Sequence, residues 1–253
     1  MNIYLSGLIW VLGAALVTAA VAYLIRRIGE TTGTVENNEA AGQVFTIVGG
    51  LHAVLLAFVL ISLFDATSAA EDDSYRETEN LVAARWAADS LGEPTRTEVR
   101  DLVDQYLDAV INHEWPDLRQ GNDDVSGEGW SALEKMRQAV AQAQAGDDWE
   151  NAQKTDAANK LWDVYQARQD RLNAAGNGIS DVLWFALVAG SVMSVALPLL
   201  FGGPRPVTHI VIVSILAGTL SLLLFATQQL QNPYSGGAQV EPTAFESAQA
   251  RLR

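Results

Sequence analysis

Hydrophobic and polar positions divide the chain into blocks. Four apolar runs are long enough to cross a bilayer, which takes about 20 mostly apolar residues in a helix. They are Ile3 to Ile25, Val44 to Phe64, Val182 to Phe201 with Pro198 near its end, and Val207 to Ala226. The first is too long for a cleaved leader. Its arginines, Arg26 and Arg27, follow the apolar run rather than precede it, so it reads as a retained span. Residues 1–65 hold spans one and two, 66–181 a polar domain, 182–227 spans three and four, and 228–253 a C-terminal tail.

The polar block carries helical periodicity. No Gly or Pro interrupts residues 66–91, so span two is expected to continue outward as one long helix. Tyr75, Leu81, Val82, Trp86 and Leu91 fall roughly on one face. After Pro94, Thr95 and Glu98 have capping-box spacing. Val99, Leu102, Val103, Tyr106 and Val110 then recur at i, i+3, i+4 and i+7, and this helix is expected to stop near Trp115-Pro116. The stretch "GNDDVSGEG" reads as a loop. Leu133, Met136 and Val140 mark a third helix. Asp147 can cap a fourth, striped by Leu161, Val164, Tyr165, Arg168 and Leu172. The tail begins with turn residues and ends in a short amphipathic helix. The expected fold class is an all-α membrane protein: four transmembrane helices with a helical bundle inserted between spans two and three.

Charge follows the same division. The net charge is −14; residues 66–181 hold 24 of the 30 acids and 11 of the 16 basic side chains, which places −13 there. Such a surface repels nucleic acid and gathers cations. Arg26, Arg27 and Arg205 occupy the two short loops, and short-loop arginines favour the cytoplasmic side. The acidic domain and both termini are therefore expected outside the cytoplasm, in a multi-pass plasma-membrane protein.

The sequence shows no enzyme signature. There is no cysteine, and P-loop, GxGxxG, HExxH and GxSxG patterns are absent. His113-Glu114 lacks a second histidine, and "GNDDVSGEG" lacks the ligand alternation of a calcium loop. No catalytic residue, metal or cofactor is expected. The implied partners are the lipid bilayer, ions and further copies of the same chain.

Candidate chemistry concentrates in span two, "GGLHAVLLAFVLISLFD" from Gly49 to Asp65. Gly42, Thr46, Gly49, Gly50, Ala53 and Ala57 form a small-residue face suited to close helix packing, either within one subunit or between subunits. Phe45, His52, Leu56, Val59 and Leu63 form a second stripe, with Asp65 at the membrane exit. Ringed about an axis, that stripe would line a hydrophobic constriction with an acidic mouth. Alternatively, His52 bonds a hydroxyl on another span, as intramembrane ionisable groups face protein or water.

Several stretches resemble the bestrophin-like membrane proteins. They are "NNEAAGQVFTIVGGLHAVLLAFVLISLFD" (37–65), "VINHEWP" (110–116), "QARQDRLNAAGNGIS" (166–180) and "PYSGGAQVEPTAFE" (233–246). They come in the family's order and cover nearly the whole chain. His52 stands where the family commonly has tyrosine. The resemblance implies four spans, a helical domain between spans two and three, and, by analogy with bestrophins, an oligomeric ion channel. The expectation is a cation-preferring channel with span two at its axis. The alternative is a non-conducting membrane protein whose outer domain binds a partner or senses the envelope.

Overall fold

The computed structural model describes residues 3–32, 39–122, 125, 127–176, 178–201 and 206–253. Arg205 and most of the loop around it lie outside the described residues. So do Asn37, Asn38 and part of "GNDDVSGEG", and nothing is described of the Arg26 side chain. The described residues form helices and connections, with no strand among them. In chain order the helices are α1 (Ile3–Thr32), α2 (Glu39–Ala88), α3 (Thr95–Ala109), α4 (Trp115–Arg119), α5 (Gly127–Gln142), α6 (Asp148–Gly176), α7 (Asp181–Phe201), α8 (Pro206–Gln229) and α9 (Thr243–Leu252).

The chain forms two compact units. One comprises residues 1–64 and 179–231 and contains the four apolar segments. In this unit α1 packs along α8, and α7 packs on α8. Gly7 faces the Phe225 ring so closely that a Cβ would come 2.9 Å from it. Span two meets span three through an apolar seam of Leu56, Val59, Leu63 and Leu187.

The other unit comprises residues 65–178 and 232–253. The tail from Asn232 is therefore part of the same body as the central helices rather than a separate segment. Its core gathers Leu81, Leu91, Val103, Tyr106, Trp115, Leu118, Met136, Leu161, Val164, Tyr234 and Phe245. Alternate turns of α5 and α6 supply the apolar positions that a helix must bury against a neighbour. Asp147 caps α6 as its position indicated: the Glu150 N–H donates to Asp147 Oδ1 at 2.8 Å.

Three local expectations are corrected. Thr95 and Glu98 do not form a capping box; Pro94 occupies the N-cap without a side-chain bond, and the Thr97 N–H donates instead to Glu93 at 3.3 Å. The helix after Thr95 does not stop at Trp115-Pro116. A single π-turn, Val110–Glu114, links α3 to α4, and Pro116 sits in the first turn of α4, where its missing N–H is tolerated. Tyr75 and Trp86 do not share the buried face of α2 with Leu81 and Val82, nor the core with Leu91 just past its end; they are 43% and 65% exposed. Leucine and valine there have an apolar neighbour to meet, whereas the two aromatics stand on the solvent side.

Candidate functional site

Span two presents two different faces. His52 is buried, and its Nε2 lies 2.9 Å from Ser191 Oγ on span three. Leu56, Val59 and Leu63 are buried beside Leu187, and Phe45 is half-buried. Of the stripe expected at an axis, His52, Leu56, Val59 and Leu63 thus face the protein's own third span, Phe45 is half-buried, and Asp65 alone is exposed. The physical reason is that a histidine in an apolar helix takes the nearest hydroxyl, and the leucines beside it follow to close the seam. Of the small residues, Gly42, Thr46, Gly50, Ala53 and Ala57 are exposed, and a Cβ at Gly42 or Gly50 would meet nothing within 4 Å. Gly49 is half-buried and has only the Phe45 ring near it, at 3.9 Å.

The second unit, residues 65–178 and 232–253, contains a site that the periodicity did not single out. Four charged side chains, Glu77, Glu114, Arg168 and Arg171, are fully buried. Glu77 lies on the buried face of the last quarter of α2. Glu114 closes the π-turn, whose extra residue turns both Glu114 and Trp115 inward. Arg168 and Arg171 continue the apolar stripe of α6 after Leu161 and Val164 at i, i+3, i+7 and i+10.

The four close a ring of charge-assisted hydrogen bonds. Arg168 is bidentate to Glu114, at 2.9 and 2.6 Å. Arg171 is bidentate to Glu77, at 2.6 and 3.2 Å, and also reaches Glu114 at 3.3 Å. The Tyr106 hydroxyl donates to Glu77 and accepts from Arg168 at 3.2 Å. Burial drives the Tyr106 phenol far up, and the Glu77 charge adds to it, so the hydroxyl stays a donor. Burial alone would lower the Arg171 pKa; the Glu77 carboxylate outweighs that and holds it above the usual value. Two negative and two positive charges cancel, which is what permits all four to leave water.

Aromatic rings seal this quartet. The Arg168 guanidinium lies over the Trp130 ring at 4.4 Å, and that of Arg171 over Phe245 at 5.1 Å and Trp115 at 5.6 Å. Gly129 approaches so closely that a Cβ would sit 2.7 Å from Arg168 Nη2. The tail closes the far side: Tyr234 donates to the Arg171 carbonyl at 2.9 Å, and Trp115 Nε1 donates to the Val240 carbonyl at 3.3 Å. With every charge inaccessible, the quartet locks α2, the π-turn, α6 and the tail together; it offers a substrate no approach. Arg168 was visible in the sequence as a charge on an apolar stripe. Glu77 and Glu114 carried no such mark.

His113 and Glu114 diverge. His113 is exposed and bonds Glu128 Oε2 at 2.6 Å, while Glu114 turns into the core. Among the described residues no group of three or more potential metal ligands gathers. A groove of about 920 Å³ runs between α5 and α6, with Trp130, Trp162, Tyr165, Arg137 and Lys154 on its walls.

Four apolar helices of spanning length, and a described structure built of helices, define a multi-pass all-α membrane protein. Glu114 of the quartet comes from "VINHEWP" and both arginines from "QARQDRLNAAGNGIS", while "PYSGGAQVEPTAFE" supplies Tyr234 and Phe245 that pack around Arg171. The chain belongs to the Bestrophin-like family, whose Bestrophin-like domain matches residues 12–245. In fold it is similar to a point variant of a bacterial bestrophin homologue from Klebsiella pneumoniae, with a TM-score of 0.75 at 12% identity over 97% of each chain. A second variant of that homologue gives 0.73 at 10% identity, over 96% of this chain and 97% of the other. At such identity the likeness is one of fold. No curated protein matches the chain.

Proposed function

We propose that the chain assembles into a homo-oligomeric ion channel of the plasma membrane, cation-preferring, with span two at its axis. The observation that carries this reading is the exposed half of α2. One face of the helix is taken up by span three. Next to it runs the small-residue face from Gly42 to Ala57, open in the single chain and suited to a neighbouring copy. Beyond that, Val54, Phe58 and Ile61 are 54%, 68% and 58% exposed and lead at i, i+4 and i+7 to the exposed Asp65. In a ring of copies this outer stripe, rather than the one containing His52, faces the axis. It forms an apolar constriction ending in acids. Screening over about 8 Å leaves Asp65 the main local selector, with the acidic outer domain raising cation concentration at the mouth.

The test is flux of K+ and Cl− from liposomes containing the purified protein. Cation flux that falls in Asp65→Asn supports the reading. No flux of either ion refutes it, and flux insensitive to Asp65→Asn refutes the stripe. Arginines in the short loops support an orientation with the acidic domain outside the cytoplasm. The chain has no cysteine, so Ser131→Cys on the exposed side of α5 gives a single thiol. An impermeant reagent should label it in intact cells; labelling only after lysis reverses the topology. The α5–α6 groove favours the alternative, a non-conducting protein that docks a partner there. Binding abolished by Trp162→Ala in a protein without flux would select it.

A further inference from the structure

Two surfaces of the helical domain stand open to solvent. The first is a ridge on α2. Tyr75, Glu79 and Trp86 recur at i, i+4 and i+11, opposite the face that buries Ser74, Leu81 and Ala88. All three are exposed, and so is Asp72 one turn before Tyr75. Large aromatic rings are the side chains that gain most from a packing partner. The ridge is also acidic, because the neighbouring base, Arg76, is held by Asp73 at 2.6 Å and Asp170 at 2.8 Å.

The second surface is the groove of about 920 Å³ between α5 and α6. Trp162 and Tyr165 stack at 5.1 Å with an interplanar angle of 10°, and Trp130 meets Tyr165 at 5.4 Å. Trp130 rests in turn on the Arg168 guanidinium of the buried quartet, which fixes the aromatic floor from below. The charged groups on the walls are Glu134, Arg137 and Lys154. Arg137 is bidentate to Glu134 at 2.8 and 2.7 Å, so the positive charge of Lys154 is left over. Lys154 Nζ donates to the Ala143 carbonyl at 2.7 Å, and an ammonium has further donors to give. Residues 66–181 carry −13; within them this groove is a positive, aromatic patch.

We propose that the α2 ridge of one copy seats in the α5–α6 groove of the next, with Tyr75 and Trp86 against Trp162 and Tyr165 and Glu79 towards Lys154. The dimensions agree. The α6 wall runs from Asn151 to Tyr165, about 21 Å at 1.5 Å per residue, and the ridge from Tyr75 to Trp86 spans about 16 Å. A helix laid in an apolar groove is a recurrent mode of recognition, and opposite charges fix its register. Within one copy, Glu77 turns the opposite face of α2 to α6, so the ridge cannot reach its own groove. Each copy carries both surfaces on different helices. The contact is therefore head-to-tail, and such contacts close into rings when the rotation allows. A foreign helix would have to bring the same aromatic spacing and the same acid, whereas the chain supplies ridge and groove in equal number. The contact rests on the homo-oligomer of the channel reading and not on conduction. With the groove filled by a copy, a foreign partner loses its site.

The test uses the purified full-length protein in nanodiscs with benzoylphenylalanine, a photo-crosslinker, in place of Trp86. Isotopically labelled and unlabelled chains are mixed before assembly, so that links between copies are recognised by mass. Irradiation should join copies, and mass spectrometry should place the link on α5 or α6. Lys154→Glu should cut the yield about tenfold through repulsion from Glu79, and adding Glu79→Lys should restore it. Recovery in the double variant cannot come from a chain that fails to fold. Links between copies on other helices, or no links in a protein that is oligomeric by size exclusion, would overturn the proposal and leave the channel reading standing. So would a yield unchanged by Lys154→Glu. A monomeric protein would overturn both. Links on α5 or α6 in a protein without K+ or Cl− flux would uphold the contact and refute conduction alone.

Discussion

Arg171→Met probes the buried quartet most directly. Methionine keeps the volume and removes the charge, so packing against Phe245 and Trp115 is largely retained. What is lost is the bidentate pair to Glu77 and the 3.3 Å bond to Glu114. Glu77 is then left with the Tyr106 hydroxyl and with Arg168 Nη1 at 3.9 Å. A buried carboxylate stripped of its partner costs about 3–5 kcal/mol. For a chain of this size that lowers the thermal midpoint by about 10 °C. The double variant Arg171→Met/Glu77→Gln removes the stranded charge, so it should recover a large part of the loss. Non-additivity of about 1–3 kcal/mol is the expected signature of a coupled pair. Denaturant unfolding followed by Trp fluorescence reads it, because Trp115 packs against the site. A cost below about 1 kcal/mol for Arg171→Met, or strict additivity in the double variant, would show that the quartet does not lock the helical domain.

Two further outcomes are expected. Gly50→Leu adds a side chain where the single chain has open space, so the protomer itself should fold unchanged. A loss of oligomer in size exclusion, at an overpacking cost of about 1–3 kcal/mol, would place the interface on that face; an unchanged profile would remove it. The hydrogen bond to Glu128, and then the charge of Glu128, raise the pKa of the exposed His113, against a small desolvation effect. The folded-state pKa lies above the unfolded one. The stabilisation is therefore complete below about pH 6.5 and is lost as pH rises through the raised value. Unfolding midpoints of wild type and His113→Gln should differ at pH 6 and converge by pH 9. Curves that stay parallel would deny the bond a role.

The run lengths of apolar residues determined the four helices of spanning length, because a bilayer accepts only long unbroken apolar helices. Periodicity determined the buried faces of α3 and α5, and Asp147 announced its own cap; on α6 it marked Leu161, Val164 and Arg168 correctly, but Tyr165, expected on the same stripe, is 41% exposed on the side of the α5–α6 groove. Which side of span two packs against the protomer was not legible. Two adjacent stripes were equally apolar, and the choice fell to a hydroxyl on Ser191, 139 residues away. The quartet lay beyond local reading for a similar reason. Glu77 and Glu114 look like solvent-facing acids until a helix and a π-turn from distant parts of the chain bring them to Arg168 and Arg171. A charge can be buried only where opposite charge meets it, and where that meeting occurs is a property of the tertiary structure. The tail shows the same division. Its turn residues and short helix were readable from local composition. That Tyr234, Val240 and Phe245 would close over two arginines of α6 was decided by packing.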